Sequence, residues 1–141
     1  MTTSKKQFEM ITLKNGLRII LIPRADQVAT TVLVLVAAGS KYEKKPINGI
    51  SHFLEHLCFK GTTRRPKSID ISIELDRIGA RHNAFTSQEY TGYWAKAQAH
   101  QSEKILDIVS DLYLHPTFPA AEIEKEKGVI IEELNMYEDL P

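Results

Sequence analysis

The chain has 141 residues, room for one domain, and a domain of that size buries roughly two thirds of the surface its unfolded form exposes. Eighteen Lys+Arg balance eighteen Asp+Glu, so the formal charge is zero and the electrostatic footprint of a nucleic-acid or anionic-membrane binder is missing. With 43% hydrophobic and 26% charged residues the composition is neither disordered nor fibrous, and a single cysteine, Cys58, excludes an internal disulfide.

Met1 to Gln7 is polar and no signal-peptide core follows it. The most apolar window, Thr31 to Ala38, falls far short of the ~20 residues of a spanning helix and reads as a buried strand. These features predict a cytoplasmic protein with no membrane segment. Phe8 to Leu13 and Leu17 to Ile22 read as strands joined by Asn15-Gly16, the signal of a two-residue type I′ hairpin. Val28 to Ala38 is a third, β-branched strand, followed by a polar loop over Gly39 to Gly49. Ile50 to Phe59 reads as a helix and Lys60 to Lys67 as a loop, of which Arg64-Arg65-Pro66-Lys67 reads as solvated. Ser68, as a cap, opens a helix to Ile78 that Gly79 ends; alternation of Ile69, Ile71 and Ile73 makes a short strand the competing reading. His82 to Ser87 and Tyr90 to Ala97 form a second hairpin. A helix carrying Ile105, Val109 and Leu112 closes at His115-Pro116, and Ala121 to Tyr137 is the last helix. The order β-β-β-α-α-β-β-α-α predicts an α+β domain with a mainly antiparallel sheet, spanning residues 1–141 and incomplete at its C-terminus.

The chemistry concentrates in Ile50 to Phe59. With about 100° per residue, His52, Glu55 and His56 fall at about 0°, −60° and +40°, one narrow stripe, while Ile50, Phe53, Leu54, Leu57 and Cys58 occupy the far side. Two imidazoles and a carboxylate on a helix that is otherwise apolar need partners. A Zn²⁺ ion is the simplest one, because an i, i+4 His pair converges on a single point and the carboxylate then faces the water such an ion activates. A catalytic zinc takes a third protein ligand. The last helix offers Glu133, on a stripe with Glu126 and Glu122 beside apolar Val129, Ile130 and Met136; Glu132 instead shares a solvated face with Lys125, Gly128 and Asn135. Periodicity therefore selects Glu133, with Glu126 behind it as a supporting acid. Cys58 falls on the apolar side and reads as core; His82, His100 and His115 have no ligand spacing and read as surface or loop residues; Trp94, Tyr90 and Tyr93 read as packing.

His52-Phe-Leu-Glu55-His56 followed by Glu133 in Val129-Ile-Ile-Glu-Glu133 resembles the zinc signature of the pitrilysin or insulinase family, the peptidases with an inverted His-x-x-Glu-His motif. The resemblance covers nearly the whole chain and is greatest to bacterial and mitochondrial processing-type members. It implies zinc ligation by His52, His56 and Glu133, one ion per chain, with Glu55 as general base, Glu126 as a second acid near the site, and Asn83-Ala84-Phe85-Thr86 as the edge strand that binds peptide substrate. Family members enclose substrate between facing halves. The resemblance therefore also implies a homologous second domain or subunit, or a homodimer, as partner, and weak activity for the isolated chain. The competing reading is a non-catalytic metal-binding subunit for assembly, which would not need Glu55.

Overall fold

Lys14 and Asn15 occupy the middle of the first turn, whose Gly16 amide donates to the Leu13 carbonyl at 2.9 Å in a computed structural model that describes residues 8–138. Gly16 alone has positive φ (+87°), so this is a three-residue loop closed by a bulge and not the expected type I′ turn, which needs positive φ at both central residues. It joins β1 (Glu9–Thr12) to β2 (Arg18–Leu21) as a separate two-stranded sheet. The polar stretch Met1–Gln7 lies outside the described residues.

The main sheet holds β3 (Ala29–Val36), β4 (Arg81–Thr86) and β5 (Thr91–Gln98) in the order β3-β5-β4, all antiparallel. Register pairs Val34 with Tyr93 and Tyr93 with Ala84, so Val32, Val34, Tyr93, Ala95, Ala97 and Ala84 share one face. Four helices follow the prediction in number and order: α1 (Ile50–Cys58), α2 (Ser68–Arg77), α3 (Ser102–Leu114) and α4 (Ala120–Glu138). Ile71 and Leu75 of α2 and Ile105, Ile108, Val109 and Leu112 of α3 cover that face and form the core with Cys58. The other face is open: Leu33 is 49% and Leu35 58% exposed, so β3 is half-buried rather than the buried strand its apolar run suggested. Alternation decides this, because only every second side chain can reach α3. The fold is thus α+β with antiparallel sheets, as expected. No helix among the described residues is long and apolar enough to cross a membrane.

Three local readings change. Residues 69–73 are helical, as the preferred reading has it, but the cap of α2 is Lys67, whose amide donates to Asp70 Oδ2 at 3.0 Å, with Ser68 already inside the helix. The far side of α1 is only partly covered: Leu54 is 39% exposed and lines a hollow of about 230 Å³ with Val36, Tyr93 and Phe118. In the basic loop after α1, Arg64, Pro66 and Lys67 are exposed as expected, but Arg65 is not. Arg65 is 5% exposed, its guanidinium 2.6 Å from Asp111 Oδ2 and 2.6 Å from Asp107 Oδ2, with Glu74 at 3.1 Å. Asp111 has no exposed surface and also accepts from Thr62 Oγ1 at 2.6 Å and Arg64 Nε at 3.1 Å, while His115 Nδ1 stands 3.0 Å away. Burial alone would raise the Asp111 pKa, but the bonds from Thr62, Arg65, Arg64 and His115 bring it down to about 2. This network fastens the loop that leaves α1 to α2 and α3, and His115, exposed in the loop after α3 as expected, joins it through Asp111.

Candidate metal centre

The helix that carries the motif starts without a Ser, Thr, Asp or Asn cap. Gly49 precedes it, and Glu43, from the preceding turn, accepts the Gly49 amide at 2.6 Å and the Ser51 amide at 2.8 Å. A carboxylate placed on free helix-terminal amides is also favoured by the helix dipole. Burial raises the Glu43 pKa, but those amides outweigh it and the net shift is downward. Gly39 holds the other end of this loop against the β4–β5 turn: a Cβ there would stand 2.4 Å from the Ser87 carbonyl oxygen.

So fixed, α1 packs between β4 and α4 and turns one stripe toward both. His52 Nε2 and His56 Nε2 lie 3.0 Å apart, and Glu133 Oε2 of α4 is 3.6 Å from each. Donors at zinc-bonding distance in a tetrahedral arrangement stand roughly 3.3 Å from one another, close to all three separations. The hydrogen bonding agrees. His56 Nδ1 donates to Glu126 Oε1 at 3.0 Å, which turns His56 Nε2 toward a second ring nitrogen and a carboxylate oxygen. Two ring nitrogens and one carboxylate oxygen converging on one point form a donor set that fits zinc.

Glu126 is 4% exposed, and its second oxygen, Oε2, takes Lys60 Nζ at 2.6 Å. Burial works to raise its pKa, and the bonds from Lys60 and His56 turn the net shift downward. Glu126 thus stays an anion that orients His56. Glu55 accepts from the Thr86 hydroxyl of β4. Thr91, opposite Thr86 in the register, donates to the Ala38 carbonyl at 2.9 Å.

The predicted residues therefore separate into two groups. His52, His56, Glu133 and Glu126 come together from α1 and α4, and Glu55 lies on the same stripe of α1 but bonds to β4. Of Asn83 to Thr86, only Thr86 touches the motif by hydrogen bond, while Asn83 and Phe85 point to the opposite, open face of the sheet. Phe85 lies over Gly92, its ring 2.3 Å from where a Cβ of Gly92 would stand, and its edge meets Tyr90. Sequence reasoning missed Lys60, although the signal was present: it stands four residues after His56, one turn farther along the ligand stripe. His82 also lies on the α1 side of β4, its ring 6.3 Å from that of Phe59. Cys58 is core, as its helical position predicts, 3.5 Å from Tyr93 Oη.

The family described as Insulinase (Peptidase family M16) matches residues 18–141. The chain belongs to that family. Among its relatives, the uncharacterized zinc protease YmxG of Bacillus subtilis is 45% identical over 92% of this chain and 32% of its own length. The beta subunit of the mitochondrial-processing peptidase of Caenorhabditis elegans is 42% identical over 87% of this chain and 26% of its own. A crystal structure of a protease from Helicobacter pylori superposes with a TM-score of 0.84 at 31% identity, covering 89% of this chain and 30% of that one. The chain thus spans about a third or less of the relatives it matches. Within this M16 domain the motif helix and the helix bearing Glu133 are both included in the matched region.

Proposed function

We propose that this chain is the zinc-bearing part of a metalloendopeptidase that hydrolyses bonds in short or unfolded peptides. The observation that carries this reading is the convergence of His52 Nε2, His56 Nε2 and Glu133 Oε2, with Glu55 on the same helical stripe. One Zn²⁺ per chain, held by those three residues, would supply a Lewis acid that brings the pKa of a water toward about 7. Glu55 accepts the proton of the attacking water and returns it to the leaving amine as the peptide C–N bond breaks. Glu126 keeps the His56 ring in the tautomer whose Nε2 is free.

Substrate lies along β4. Hairpin closure by Ser87 N to Tyr90 O makes Phe85–Gly92 and Asn83–Trp94 the hydrogen-bonded pairs, so the backbone groups of His82, Ala84 and Thr86 face the free edge. An extended peptide adds there as a further strand, held through main-chain bonds with little regard for sequence. This narrows the expected segment: Ala84 and Thr86 meet the peptide backbone, whereas Asn83 and Phe85 act through their side chains. At 2.9 Å the Asn83 side chain accepts the Ala84 amide, a bond that must open for the peptide to enter.

The chain covers a third or less of its relatives, which supports a homologous domain, subunit or second copy as the partner that closes the substrate chamber. Metal analysis and cleavage of a quenched peptide test the reading. Purified protein should carry one zinc, His52→Ala should lose it, and Glu55→Gln in the complete peptidase should keep zinc and lose cleavage. Zinc-free protein, or cleavage unchanged in Glu55→Gln, would refute it. A purely structural, assembly-type zinc site is disfavoured by Glu55 itself, an ionisable residue of the motif stripe bonded away from the ligand triad.

A further inference from the structure

We propose that Thr86 is a positioning residue for Glu55, linking strand addition at the β4 edge to the orientation of the general base; the inference rests on the peptidase reading above. Thr86 is the sole hydrogen-bond partner of the Glu55 carboxylate among the described residues. Its hydroxyl has one proton, and that proton goes to Glu55 Oε2. The neighbouring Thr91 hydroxyl does not compete for the same oxygen, since it donates to the Ala38 carbonyl at 2.9 Å and stands 3.3 Å from Thr86 Oγ1. Thr86 is β-branched, so its side-chain torsion is stiff, while its backbone, in a non-hydrogen-bonded pair with Thr91, makes no bond to β5.

Two directions meet in this one residue. The side chain of Thr86 faces α1, while its backbone N–H and C=O face the free edge where a peptide adds. A peptide that pairs with the edge therefore orders the residue that holds one oxygen of Glu55, leaving the other oxygen free to take a proton. A carboxylate without that anchor has a rotatable side chain and no fixed aim. Misplacement of a reacting group by about 1 Å costs up to a hundredfold in rate.

The test compares Thr86→Val, which keeps shape and backbone but removes the hydroxyl, with Thr86→Ser, which restores it. In the complete zinc-loaded peptidase, Thr86→Val should keep its zinc, hold KM within about twofold and lose about ten- to a hundredfold in kcat, and Thr86→Ser should recover most of that loss. Crystal structures of the three proteins should show Glu55 turned toward β4 in the wild type and in Thr86→Ser, and released in Thr86→Val. A higher KM at unchanged kcat, a Thr86→Ser variant as slow as Thr86→Val, or an unmoved Glu55 in Thr86→Val overturns the proposal. If the wild type itself cleaves no peptide, the peptidase reading fails, and the Glu55 rotamer in the three structures still decides whether Thr86 holds it.

Discussion

Lys60 Nζ lies 2.6 Å from Glu126 Oε2, joining the residue just past one helix to the buried acid of another. Lys60 is the full cation at that carboxylate. Its presence explains how Glu126 remains ionised with almost no solvent contact.

Removing Lys60 should therefore act through Glu126. Lys60→Met should lower unfolding stability by about 1–3 kcal/mol in urea, discounted from a fully buried pair because the lysine is partly exposed. Replacing both members, Lys60→Met with Glu126→Leu, should recover part of that loss in a double-mutant cycle. Additivity of the two changes would mean that the pair is not coupled.

Glu126→Ala should weaken zinc binding by about ten- to a hundredfold, as expected when the carboxylate that fixes a ligating histidine is lost. Competition with a chromogenic chelator measures this without any peptide. Glu132→Ala, on the exposed face of the same helix, should leave the affinity unchanged.

Acid should loosen the loop behind the motif helix. Asp111 has a pKa depressed to about 2 by its partners, so its contribution is complete above the unfolded value near 3.8 and is lost as pH falls from about 4 to 2. Thermal melts should show stability declining over that interval, and Asp111→Asn should remove much of the slope. Arg65→Met, which strands Asp111 without its buried partner, should cost about 3–5 kcal/mol at neutral pH.

The helix start gives a separate test. Glu43→Ala should cost about 1 kcal/mol, the usual loss of a capping carboxylate, and Glu43→Gln less, since an amide oxygen still accepts from Gly49 and Ser51. Gly39→Ala should cost more than either, because its new methyl meets the Ser87 backbone carbonyl and not a movable side chain. Denaturant midpoints of the three variants rank these effects.

Local periodicity was enough to put His52, Glu55 and His56 on one stripe and to prefer Glu133 over Glu132, because neighbours at three and four residues face the same way on any α-helix. It also set the order of the elements, since alternation and helical spacing are properties of short windows. Other features depend on what those windows meet. Apolar runs gave no sign that Leu33, Leu35 and Leu54 stay exposed, as this is decided by which face α3 covers and how far α1 is buried. Arg65 looked like a solvent residue because its three acidic partners come from α2 and α3. Asn15-Gly16 marked a turn but not its type, which the pairing register of β1 and β2 selects. Above all, the meeting of Glu126 and Glu133 with α1, and of Thr86 with Glu55, brings together residues far apart in the chain, and only tertiary packing fixes such distances.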